Sequence, residues 1–310
     1  MTKRLAYHTA LTFLTVLATA VFLLACQGES ISGSEPEQVV GQIELPGLPG
    51  AEQPGTGRAT DKTGAGASRD SALAWPSIPD KIDTTMPDFS KYTNVDKKKE
   101  AFFNFLRPIV NQENYEVLKE RAYLLLKWRK FKQDQELSEQ EIENLQALAE
   151  KYRAGATPEE GLDFFRKMLI RVDKIPVSLA LIQAAKESGW GTSYFAREGN
   201  NLFGQWCFTR GCGLVPRQRP EGATYEVQAF DDVSDSVRAY IRNLNSHPAY
   251  RDLRLHRYRL RLAGEEPDAH LMAGGLEDYS GIGMKYVRTI QQMIRGNEKF
   301  MGIHEPADES

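Results

Sequence analysis

The sequence predicts an α+β chain, mostly helical, with a small β-hairpin lobe. Apolar residues recur every three or four positions from 97 to 131 and again from 162 to 188, the spacing of helices with one buried face. Helix-start signatures stand at Ser138-Glu-Gln-Glu141 and Thr157-Pro-Glu-Glu160. Residues 213–219 and 224–230 read as two short strands around the turn Pro220-Glu221-Gly222, which places the lobe.

The composition narrows the class. A chain of 310 residues has room for about two domains. With 41% hydrophobic and 26% charged residues it can bury a core, and it is neither collagen-like nor wholly disordered. A net charge of −3 gives no reason to expect a nucleic acid as partner. Three cysteines exclude a four-cysteine zinc site and the five histidines show no paired ligand spacing, so no metal is implied.

Residues 1–26 read as an export signal. Lys3 and Arg4 precede an apolar stretch from 10 to 25 that no charge interrupts. Leu23-Leu24-Ala25-Cys26 resembles a bacterial lipobox, where cleavage precedes the cysteine and Cys26 carries the lipid; a plain anchor helix or a simple signal peptide are the other readings. Each buried CH₂ of such a lipid contributes about 0.8 kcal/mol, so an acylated Cys26 holds the chain to a membrane. Gln27, in place of Asp, favours the outer membrane, which makes the expected location the periplasm, lipid-anchored. Residues 27–79 form the tether, free of aromatics as far as 74 and rich in Gly, Pro, Ser and Thr. Export also changes the cysteine arithmetic. Cys207 and Cys212 remain after lipidation and are expected to form a local disulfide, the alternative being two free thiols.

Residues 80–155 read as a helical accessory region. Phe102, Leu106, Ile109, Val110, Leu118, Leu124 and Trp128 are spaced for a helix that Pro108 is expected to interrupt. A second unit covers 156–302, and 303–310 is a tail. Thr157 reads as N-cap and Pro158 as first residue of a helix through Leu162, Phe165, Met168, Leu169 and Val172. The next helix, 177–188, is apolar nearly all round and therefore central and buried; Glu187-Ser-Gly-Trp-Gly191 ends it. Asp231 and Asp232 read as turn and cap residues before a helix over 233–246. The basic run 251–261 reads as a wet helix face, or else as a docking surface for an anionic polymer.

Glu187 is the chemical candidate. It sits in the last turn of the buried helix, where the macrodipole disfavours a carboxylate, beside Trp190. Both effects push its pKa up, and an acid still protonated near neutral pH is what glycosidic cleavage needs. The alternative is an ordinary surface glutamate near a helix end.

Two blocks sharpen this reading. Ile182-Gln-Ala-Ala-Lys-Glu-Ser-Gly-Trp-Gly-Thr-Ser193, followed by Asn200-Asn201-Leu202-Phe203-Gly204, resembles the core of glycoside hydrolase family seventy-three, the β-N-acetylglucosaminidases of peptidoglycan. The stretch from Trp206 through Cys207 and Cys212 to Gly213 looks most like the Bax-type branch. The resemblance covers roughly 157–300 and implies a lysozyme-like fold, a glucosaminidase domain over 156–302, peptidoglycan strands as partner and no cofactor. It makes Glu187 the general acid. A second catalytic group, on the hairpin, is expected from Glu221 or Glu226, either of which is otherwise a solvent-facing charge. An inverting partner would stand about 6.5–9.5 Å from the acid and a retaining nucleophile about 5 Å, while substrate assistance needs neither. Tyr279 and Tyr286 match the two tyrosines of a family segment whose Asp-Pro is here Ile282-Gly283. Tyr279 is then a catalytic candidate; Trp190, Asn201, Phe203, Trp206 and Tyr286 are substrate-binding candidates. The expected activity is hydrolysis of β-1,4 bonds after N-acetylglucosamine. The alternatives are a lytic transglycosylase and an inactive wall-binding lipoprotein.

Overall fold

The computed structural model describes residues 78–302 apart from Asp80. The export signal, Cys26, the tether up to 77 and the tail from 303 lie outside the described residues. No helix among the described residues is long and apolar enough to cross a membrane.

A long helix, α1 (Val95–Lys132), is the spine. Asn94 caps it, accepting from Lys97 N at 2.9 Å. The break expected at Pro108 does not occur; the helix runs through it. A proline removes one N–H, and the buried row Phe102, Phe103, Leu106, Ile109 and Val110 holds both sides of that gap to the core. α2 (Glu139–Lys151) begins with the expected capping box: Ser138 N donates to Glu141 Oε2 at 2.8 Å and Glu141 N to Ser138 Oγ at 3.3 Å. Lys127 and Lys130 of α1 reach the same carboxylate and hold its pKa down to about 2, which ties α2 to α1.

The helix expected from Pro158 starts later. Pro158–Glu160 is one 3₁₀ turn, and α3 (Leu162–Arg171) begins after Gly161, whose φ of +61° ends the turn. α4 (Val177–Ser188) is the predicted central helix; Leu179, Ala180, Leu181, Ile182, Ala184 and Ala185 are all wholly buried. α1 packs along it, with α9 (Met284–Met301) and α8 (Ala269–Ala273) on its other sides. The region 80–155 thus shares one hydrophobic core with the helix that carries Glu187.

The lobe is a three-stranded antiparallel sheet in the order β1–β3–β2, from β1 (Trp206–Cys207), β2 (Gly213–Leu214) and β3 (Glu226–Gln228). Its strands are shorter than the two expected, and a third joins them. Pro216 and Pro220 remove ladder donors soon after Leu214. Gly213 is obligatory in β2, because a Cβ there would lie 2.0 Å from the Val227 carbonyl oxygen. α5 (Tyr194–Gly199) precedes the sheet. α6 (Val233–Ser246) follows it, capped as expected by Asp232, which accepts from Ser234 N at 2.8 Å and Asp235 N at 3.1 Å. The protein is therefore α+β, a helical body bearing a small lobe.

The basic run forms α7 (Arg251–Leu262), and it is wet only in part: Arg251 and Arg259 are exposed, while two other arginines are not. Arg254 and Arg257 are 2% and 1% exposed. Arg257 donates to the carbonyls of Ile170, Arg171, Asp173 and Lys174, so it closes the C-terminal end of α3. The helix is amphipathic, with Arg254 and Arg257 turned inward, where carbonyls replace water.

Candidate active site

The end of α4 is a set of interlocked stops. Gly189, Trp190 and Gly191 all have left-handed backbones, with φ of 59°, 61° and 73°. Trp190 N donates back to Ala185 O at 2.8 Å. The Ser188 hydroxyl donates to Ala184 O at 2.6 Å and accepts from Gly191 N at 2.8 Å, so it satisfies both sides of the turn. A Cβ on Gly191 would lie 2.5 Å from the Phe89 ring, which makes glycine necessary there on steric grounds as well. The turn fixes where the last helical side chain, Glu187, can point.

Glu187 is half-buried at this end. Its Oε1 accepts from the Tyr286 hydroxyl of α9 at 2.8 Å. Its other oxygen has no hydrogen-bonding partner among the described residues. Burial pushes the pKa up; the Tyr286 hydrogen bond and the Lys186 charge oppose that only in part, and the result is raised. The Lys186 ammonium lies 5.2 Å above the Tyr286 ring. Burial also pushes Tyr286, Tyr279 and Tyr240 well above the usual phenol range, so all three stay neutral donors. The arrangement is a protonatable carboxyl with one free oxygen and one positioned donor.

The aromatics sort differently from expectation. Tyr279 stacks on Tyr286 at 5.3 Å and 13°, and its hydroxyl donates to the Phe203 carbonyl at 3.2 Å. It joins the glutamate's wall to the 200–204 block. Phe203 is 3% exposed and stacks on Tyr240 at 3.9 Å, so its ring is core rather than a sugar platform. Asn201 is 2% exposed: its amide donates to Gln205 O and Gln228 O, and its carbonyl accepts from Phe203 N and Gln205 N. Every polar atom of the Asn201 side chain is engaged in folding the loop. Trp190 is turned to α1, edge-on to Phe102 at 5.7 Å and Phe103 at 5.3 Å. Trp206 is half-buried on β1 against Tyr225 at 4.3 Å.

The two hairpin carboxylates part company. Glu221 is exposed at its turn. Glu226 lies on β3, buried, with Oε1 accepting from Gly211 N at 3.0 Å and Oε2 from Gly213 N at 2.9 Å. Those two amide bonds hold its pKa below the usual carboxylate range. Cys207 and Cys212 are joined in a disulfide, with Cα atoms 6.2 Å apart, and the loop it closes carries the Gly211 amide. Glu226 is thus the brace of the disulfide loop. Cys207, Cys212 and Glu226 bring ligand-type atoms within 4.8 Å of one another, but the sulfurs are bonded to each other and the oxygens are engaged by amides.

Comparison with known proteins gives the chain a family. A family profile described as mannosyl-glycoprotein endo-beta-N-acetylglucosaminidase matches residues 163–299, a span that holds α4, the sheet, Tyr279 and Tyr286. The chain is also 34% identical over 221 residues to Protein bax of Escherichia coli (strain K12), covering 71% of this chain and 77% of that protein. The chain belongs to the glucosaminidase family. No solved structure matches it.

Within this glucosaminidase domain, the residues that sequence reasoning missed are the partners behind Tyr286. Gln183, wholly buried, donates to the Tyr286 oxygen at 3.0 Å. Tyr240 of α6 donates to Gln183 Oε1 at 2.7 Å. Gln183 did leave a signal: it is the one uncharged amide in an otherwise apolar turn, four residues before Glu187 and so on the same face. Tyr240 left none, because its partner lies 57 residues away in the chain.

Proposed function

We propose that the protein is an exported peptidoglycan hydrolase, lipid-anchored at Cys26, that cleaves β-1,4 bonds after N-acetylglucosamine with Glu187 as general acid. The observation that carries this reading is the Glu187 carboxyl itself, desolvated, met by one hydroxyl at Oε1 and free at the other oxygen. The free oxygen carries the proton to the departing glycosidic oxygen as the anomeric C–O bond breaks. The negative charge left on the carboxylate is met by the Tyr286 hydroxyl, already in place. With Glu226 engaged by backbone amides, the reading asks least of the protein if the sugar's own 2-acetamido oxygen bonds to the anomeric carbon. Water then opens that ring, its proton going to Glu187, and the product keeps the β configuration.

The test is digestion of purified peptidoglycan followed by mass spectrometry of the new ends. Reducing N-acetylglucosamine ends support the proposal. Anhydro-muramic ends assign the protein to the lytic transglycosylases. Binding with no turnover, unchanged in Glu187→Gln, makes it a wall-binding lipoprotein.

A further inference from the structure

Four side chains from three helices form one directed chain of hydrogen bonds that ends on the acid. Tyr240 of α6 donates its hydroxyl proton to Gln183 Oε1 at 2.7 Å. Gln183 Nε2 donates to the Tyr286 oxygen at 3.0 Å, and Tyr286 donates to Glu187 Oε1 at 2.8 Å. We propose that Gln183 is a positioning residue for the reaction: by donating to the Tyr286 oxygen it commits that tyrosine's single proton to Glu187, and Tyr240 fixes which end of the amide faces the tyrosine. The proposal rests on the reading of Glu187 as the general acid.

The physical argument is one of supply. A phenol has one proton and an oxygen that also accepts. A tyrosine facing a carboxylate and an amide could give its proton to either one. Here the amide oxygen is already taken by Tyr240, so the N–H end is turned to Tyr286 and only Glu187 is left as acceptor. No water substitutes, because Gln183 is wholly buried. The rings are held as well: Tyr240 is stacked on Phe203 at 3.9 Å, Tyr286 on Tyr279 at 5.3 Å. An N–H donated to the Tyr286 oxygen also polarises its O–H, which strengthens the bond to Glu187. That bond gains most when Glu187 has lost its proton, so the chain favours the transition state over the resting acid. It also selects the oxygen that works: Oε1 is held, and the proton sits on the other. No relay proton moves in the step; one proton passes from Glu187 to the leaving oxygen.

The titratable and charged groups around Glu187 come from several elements. Lys186 adjoins it on α4, Tyr286 reaches it from α9, Tyr279 from the turn 277–279 and Tyr240 from α6. α1 brings Lys99 to the Trp190 ring at 5.5 Å in the turn that follows. Of these, Tyr286 is the hydrogen-bond donor, and it holds the Glu187 pKa down against burial.

The experiment measures kcat and KM against pH on a soluble peptidoglycan oligomer, for the full protein and for Gln183→Leu, Tyr286→Phe, their double variant and Glu187→Gln. Gln183→Leu is expected to lower kcat about 10-fold with KM unchanged, the equivalent of one lost positioning hydrogen bond. Its alkaline limb moves to higher pH, because a weaker donor lets burial raise the acid further. The double variant is no slower than Tyr286→Phe alone, because Gln183 acts through that hydroxyl. A folded Gln183→Leu with wild-type kcat and limb overturns the proposal, and so do losses that multiply in the double variant. Should Gln183→Leu not fold, Tyr240→Phe carries the test, with a smaller fall in kcat and the same direction of limb shift; no change overturns the proposal. An active Glu187→Gln defeats the acid reading, and the relay falls with it. An inactive Glu187→Gln beside a wild-type Gln183→Leu defeats the relay alone.

Discussion

The helical body and the hairpin lobe each enclose a glutamate, and they treat it in opposite ways. Glu187, at the end of α4, receives one hydroxyl proton, and its pKa is raised. Glu226, on β3, receives two backbone amides, one on each oxygen, and its pKa is lowered. A third carboxylate completes the comparison. Asp173 is 1% exposed in the body; burial alone would push its pKa up, yet Arg121, Arg261 and Arg257 hold it well below the usual range. Removal from water does not by itself make an acid. The number and charge of the donors decides, and Glu187 is the carboxylate left short of them.

The largest effect expected from breaking this pattern is on turnover. Glu187→Gln should lower lysis in a zymogram by about 10³-fold, the scale of a lost general acid. It should not lower stability. The folded state binds the Glu187 proton more tightly than the unfolded chain, so this group's contribution declines as pH rises from the ordinary carboxylate value of 4.5 through the raised one. Gln does not titrate, so the variant should melt at or above wild type at neutral pH, and the gap should close as the pH falls below that ordinary value. A lower melting temperature for the variant at neutral pH would break the comparison.

Asp173→Asn comes next. It leaves Arg121, Arg257 and Arg261 inside the body without their counter-charge, which should cost about 3–5 kcal/mol in denaturant unfolding. Here the sign is reversed: the contribution is present above the ordinary carboxylate range and is lost progressively as pH falls from that range toward the depressed folded value. Glu226→Gln sharpens the comparison from the other side. It should keep kcat within about 10-fold of wild type, the effect of one weakened hydrogen bond near a site. A loss equal to that of Glu187→Gln would make Glu226 the second catalytic group after all. The smallest effect belongs to the disulfide. Cys207→Ser with Cys212→Ser should speed proteolytic nicking at residues 208–211 while leaving the melting of the helical body unchanged, since the bond closes a loop only within the lobe.

Much of this was legible in the sequence where the signal is local. The apolar helix 177–188, the capping box at Ser138 and Glu141, the Asp232 cap and the glutamate at a glycine-broken helix end all depend on neighbours a few residues apart. The errors came where partners are distant or orientation decides. Pro108 reads as a break, but burial of the flanking turns carries the helix through it. Arg257 of α7 reads as solvated, but the carbonyls that receive it lie more than 80 residues away. Asn201 and Phe203 read as substrate contacts because they sit in the motif; they serve it by folding the loop and backing Tyr240. Trp190 was expected to desolvate Glu187, whereas the structure turns it to α1 and puts tyrosines around the acid.

The most direct measurement is a ¹³C carboxyl titration of Glu187 in the folded protein, set beside the pH–rate profile on the same oligomer. The account predicts that this carboxyl titrates above the ordinary glutamate value of 4.5 and that its midpoint coincides with the alkaline limb of kcat/KM. A midpoint at or below that value, with turnover continuing far above it, would contradict the account.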